Sequence, residues 1–128
     1  MSTFPRWIAF SAGLLGLTGV ALGAIGAHGS LHDRLVAGGT LDNWRTAVLY
    51  QFVHAIGLLA LGGWTGLGNR AQWIARCWVA GTVLFSGSLY LLSLGGPKFF
   101  GPVTPAGGLA LLFGWLLVLS TALQGPKS

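Results

Sequence analysis

Nine charged side chains are all that this 128-residue chain carries: Arg6, Asp33, Arg34, Asp42, Arg45, Arg70, Arg76, Lys98 and Lys127. They fall so that four long intervals hold no charge at all. Each interval contains an apolar stretch close to the ~20 residues that a helix needs to cross a hydrocarbon core of about 30 Å. Inside such a core the backbone groups can bond only to one another, so these runs are read as helices. Composition agrees: 53% of residues are hydrophobic and 7% charged, where a soluble domain would carry about 25% charged residues. The sequence therefore predicts an all-α integral membrane four-helix bundle. It forms a single transmembrane domain over residues 1–128, with spans at about 7–27, 43–63, 73–94 and 104–123.

The formal charge of +5 does not point to nucleic acid, because the cations stand singly at segment ends rather than clustered on one face. They serve better as topology signals, since Lys and Arg in short loops gather on the cytoplasmic side. With four spans, Arg6, Arg70, Arg76, Lys127 and the amino terminus share one side against Arg34, Arg45 and Lys98 on the other. That excess predicts both termini in the cytoplasm. Cys77 has no partner for an intrachain disulfide and no C-x-x-C spacing, so it is read as a small packing residue.

The first span follows a short positive head, M-S-T-F-P-R, which is also how a signal peptide begins. Its apolar run exceeds the 7–15 residues of a signal-peptide core, so it is read as a retained helix. Ala12, Gly16, Gly19, Gly23 and Gly26 recur on one seam of it, as small residues do where two membrane helices pack closely. The connection that follows contains His28 and His32, four apart, with Asp33 adjacent. Two imidazoles at that spacing could face one metal on a short helix, but two ligands and a flanking carboxylate fit an interfacial turn better. Gly29 should end the first helix, and Asp42 should be the N-cap of the second.

The second span carries the polar side chains from which any chemistry would have to be built. Tyr50, Gln51 and His54 lie on one stripe at 100° per residue. His54 falls near the bilayer middle, where a polar group is costly unless paired. A haem would need a second histidine at that depth, and neither His28 nor His32 reaches it. No cofactor is expected. His54 is read as neutral and hydrogen-bonded to a neighbouring helix, the first or the third. The third span, entered through interfacial Trp64 and Trp73, offers Thr82, Ser86, Tyr90 and Ser93 to such bonds. Before the fourth span, the Gly- and Pro-rich connection ends in Thr104-Pro105, the pattern of an N-cap followed by the first helical residue.

Four motifs carry a resemblance: G-A-I-G-A-H-G at Gly23 to Gly29, T-A-V-L-Y-Q-F-V-H-A at Thr46 to Ala55, F-S-G-S-L-Y at Phe85 to Tyr90, and G-P-V-T-P-A-G-G at Gly101 to Gly108. In this order they resemble the small inner-membrane proteins catalogued as domain of unknown function 423, related to the animal transmembrane-protein-256 group. The likeness covers nearly the whole chain. It departs at Ala106, where the family pattern has a bulkier aliphatic residue. It implies a four-helix protein of the bacterial inner membrane with no established activity. With both termini inside, His28, His32, Thr104 and Pro105 form a candidate motif toward the outer surface.

The expected function is that of a structural or accessory subunit, packing through its glycine seam and polar stripe against a membrane-protein partner or a second copy within the lipid bilayer. The competing expectation is a small carrier or ligand-binding protein, with Tyr50, Gln51, His54, Ser86 and Tyr90 lining a cavity for a quinone, a lipid headgroup or a small solute. An enzyme is not expected, since no acidic residue lies in any span and there is no nucleophile set or phosphate loop.

Overall fold

The computed structural model describes residues 4–64 and 66–124. Lys127 and the first three residues of the positive head, used above for topology, lie outside the described residues. Five α-helices follow in order: α1 Arg6–Ala27, α2 Gly29–Ala37, α3 Leu41–Leu61, α4 Asn69–Ser93 and α5 Val103–Leu123, with a 3-10 turn at Lys98–Phe100 before the last. Four of them are long and apolar enough to cross a membrane. The four-span bundle read from the charge-free intervals is the fold.

The spans are not equivalent. The most apolar stretches of α3 and α4 are 39% and 44% buried within the protein, against 17% for α1 and for α5. α3 and α4 are thus the inner pair, with α1 packed on α3 and α5 packed on α4. The outer faces of α1 and α5 present Phe10, Leu17, Leu109 and Leu112, all largely exposed, as suits side chains that meet lipid. The apolar core concentrates toward the amino-terminal end, where Ile8, Leu58 and Ile74 are wholly buried.

Close approach of the helices rests on missing side chains. On α5, a Cβ at Gly107 would run into the backbone of Phe85 and Gly81 on α4. A Cβ on Gly81 would stand 2.7 Å from Leu111 Cδ2. Trp78 lies in a slot between Gly57 of α3 and Gly114 of α5, where added Cβ atoms would come within 2.9 Å and 2.5 Å of its ring. On the α1 side, Gly19 faces Phe52, Gly23 faces Val48, and Gly26 leaves the notch that Trp44 fills. The expected seam is shorter than its spacing suggests. A Cβ on Gly16 would meet nothing within 4 Å.

Three local readings are corrected. The first connection is not a simple turn but contains α2, whose Leu35 is fully buried while Asp33 and Arg34 stay exposed. Its polar caps lie elsewhere than expected: Gly39, at φ 70°, turns the chain into α3, whose N-cap is Thr40, and Asp42 falls inside the first turn. At α5 the N-cap is Pro102 rather than Thr104. The Thr104 hydroxyl is instead hydrogen-bonded to the Ser88 hydroxyl of α4, a bond between helices that competes with capping.

Candidate functional site

The polar stripe of α3 lies between α1 on one side and α4 and α5 on the other, and the structure divides it. Gln51, 4% exposed, turns toward α1. Its Nε2 donates to the Leu15 carbonyl at 2.9 Å and to Thr18 Oγ1 at 2.7 Å, while its Oε1 accepts the Tyr90 hydroxyl at 2.6 Å. The amide orientation follows from chemistry, since a backbone carbonyl can only accept. Thr18 passes its own proton to the Leu14 carbonyl at 2.7 Å. One side chain of α3 thereby ties α1 to α4 through a satisfied chain of bonds. Ser86 adds a second tie, donating to the Ala47 carbonyl at 2.7 Å.

His54 belongs to the other half. Its Nδ1 lies 2.8 Å from the Tyr50 carbonyl one turn back, and its Nε2 lies 3.1 Å from Trp115 Nε1 of α5. The carbonyl accepts, so Nδ1 carries the proton; the indole N–H donates, so Nε2 must be the acceptor. The ring is neutral with its tautomer fixed. An imidazolium would set two donors against each other at Trp115. With both nitrogens engaged, neither presents a lone pair to a metal. The partner differs from the one expected, being on the fourth span rather than the first or third. The depths match: His54 is thirteen residues past Leu41 and Trp115 twelve past Val103, placing them roughly 20 Å and 18 Å along their helices at about 1.5 Å per residue.

Around this bond, α3 and α5 part to form an open cleft of about 470 Å³, bordered by Tyr50, His54, Phe85, Pro105, Leu112 and Trp115 among others. The Tyr50 ring packs on Phe85 with centroids 4.6 Å apart. Gln51, Ser86 and Tyr90 do not line it. The five candidate residues therefore share a helical stripe and its surroundings without converging on one cavity. Trp78 and Trp115, 4.6 Å apart, complete an aromatic group around His54. Trp78 Nε1 and Thr82 Oγ1 are buried without a hydrogen-bond partner among the described residues.

At the far end of the bundle, the residues of the surface motif have separate tasks. His32 Nδ1 bonds the Gly26 carbonyl at 3.0 Å, closing one of the free C-terminal carbonyls of α1. His28 is exposed at the bend between α1 and α2. Thr104 is engaged with Ser88, and Pro105 borders the α3/α5 cleft. Arg34 donates to the Leu94 carbonyl at 3.0 Å and Thr40 to the Ser93 carbonyl at 2.8 Å. Both cap the carboxyl end of α4, where a cation also suits the negative end of the helix dipole. Sequence reasoning gave Trp44, Thr18, Trp78 and Trp115 no part in the site. For Trp78 and Trp115 the available signal was tryptophan placed inside a span rather than at its interfacial ends; Trp44, in the first turn of α3, and Thr18 carried none.

The geometry can be set beside known proteins. Residues 22–108 match a family profile described as protein of unknown function (DUF423). The chain is 41% identical over 101 residues to a UPF0382 membrane protein of Staphylococcus saprophyticus, covering 78% of this chain and 82% of that one. It is 37% identical to the UPF0382 membrane protein YwdK of Bacillus subtilis, over 84% of this chain and 89% of that protein. With the UPF0382 inner membrane protein YgdD of Escherichia coli it shares 34% identity, over 93% and 91% respectively. No solved structure matches it.

Proposed function

Given that the chain belongs to the DUF423 family of membrane proteins, whose matching relatives are named for their location and not for an activity, we propose that it is a structural or accessory membrane protein. In this reading it packs against another membrane protein or a second copy and is not an enzyme. The observation that carries the reading is the internal use of the polar stripe. Gln51 engages three partners and His54 two, all within the protein. Such bonds fix helix positions in a bilayer, at about 0.6–2 kcal/mol each. The sparsely buried flanks of α1 and α5 leave room for a protein neighbour. Purification in mild detergent, followed by mass spectrometry, tests it: a stoichiometric protein partner or a stable oligomer is expected, and a monodisperse monomer with no partner argues against it.

The bacterial inner membrane, with both termini in the cytoplasm, is part of the same proposal, supported by the sequence excess of four cations, Arg6, Arg70, Arg76 and Lys127, over three, Arg34, Arg45 and Lys98. A reporter fused after Ser128 should be active only in its cytoplasmic form. A second reading, ligand carriage, has the α3/α5 cleft in its favour. A small molecule that co-purifies and is lost with Trp115→Ala would favour it.

A further inference from the structure

On the side of α3 away from the α5 cleft, α1 and α3 enclose a second groove, of about 300 Å³. Its floor is low because α1 has no side chain at Gly23, where an added Cβ would stand 3.3 Å from Val48 Cγ1. Val48, Leu49, Phe52 and Ala27 make its walls apolar, and Trp44 spends its only donor on the Leu22 carbonyl. One charge borders the groove. Arg45 is exposed and lies four residues past the start of α3, about 6 Å along the axis, at the end of the bundle that α2 covers.

A guanidinium stays charged at any depth, so at the edge of the hydrocarbon it requires a counter-charge or water. Other arginines find partners within the protein: Arg34 on the Leu94 carbonyl, Arg70 on Thr121 Oγ1, and Arg76 over the ring of Trp73. Among the described residues Arg45 has no hydrogen-bond acceptor, and Asp42, one turn earlier, does not pair with it. An apolar trough with a free fork of N–H donors at its mouth matches a lipid whose chain lies in the trough and whose phosphate meets the fork. We propose that the α1/α3 groove is a site for one anionic phospholipid, with an acyl chain along Gly23, Val48 and Phe52 and the phosphate bound by Arg45.

The full-length protein, stripped of lipid in mild detergent, would be titrated with phosphatidylglycerol or phosphatidylcholine of identical chains and read by native mass spectrometry. The expected result is a single bound lipid with about a fivefold preference for phosphatidylglycerol, the size of one interfacial Arg acting on one net charge. Arg45→Gln should abolish the preference while phosphatidylcholine still binds, and Arg45→Lys should restore part of it. Ala27→Phe, at an exposed helix end, should weaken both lipids equally by filling the mouth. All variants should keep the wild-type helical circular dichroism. Equal binding of the two lipids by the wild type, a preference that survives Arg45→Gln, or a dimer that excludes lipid from the groove would overturn the proposal.

Discussion

The two sides of α3 solve one problem in different ways. Toward α1 the contact is close: Gly19 and Gly23 bring the backbones together, and Gln51 spans to Leu15, Thr18 and Tyr90. Toward α5 the contact is open: a single bond from Trp115 to His54 crosses a cleft, and α5 is held chiefly by glycine notches on its α4 side. Lipid is as apolar as leucine, so burial alone gives little drive for helices to associate in a membrane. What remains is close packing and hydrogen bonding. The α1 side of α3 combines the two, whereas α5 takes packing and the Ser88–Thr104 and Arg70–Thr121 bonds from α4, and a single hydrogen bond from α3.

The largest effect is expected where packing has no slack. Gly107→Leu would press a side chain into the backbone of Phe85 and Gly81, which cannot swing aside as a side-chain end can. Thermal unfolding in detergent should show a loss of about 3 kcal/mol, the upper end of overpacking costs, and an unchanged melting temperature would mean that α5 is not held by this notch. Next comes Gln51→Leu, which leaves the half-buried Tyr90 hydroxyl without its acceptor and removes the tie to Thr18 and the Leu15 carbonyl. A cost of about 1–3 kcal/mol is expected, with α1 loosened as read by faster hydrogen exchange at Leu15 to Gly19.

A smaller loss should follow His54→Leu, of about 0.6–1 kcal/mol, because Trp115 is 43% exposed and only partly depends on its acceptor. His54→Gln should recover much of it by offering an amide oxygen to the indole. If instead His54→Leu proves as costly as Gln51→Leu, the open side is as tightly coupled as the closed one. The smallest effect is expected at Gly16→Ala, within about 0.5 kcal/mol of wild type, as for a substitution away from any packed feature. Gly19→Leu, facing Phe52 and Gln51, should be clearly destabilising and the matched Gly16→Leu should not, and equal melting temperatures for these two Leu variants would erase the difference drawn between the positions.

The sequence by itself determined the class, the number of spans and the membrane environment, because each rests on a one-dimensional quantity: the length of a charge-free run against the thickness of a bilayer. It also singled out His54, Gln51 and Tyr90 as groups needing partners, since their depth along a helix is fixed by residue count. Tertiary structure alone decided who the partners are. Whether His54 meets α1, α4 or α5 depends on how the helices are arranged around α3, and periodicity within one helix cannot encode that. The same holds for Gly16, which has the spacing of the seam but no neighbour where its Cβ would point. It holds as well for Thr104, whose hydroxyl can close its own helix or reach Ser88. Each side chain's geometry permits more than one bond, and only the neighbouring helix selects among them.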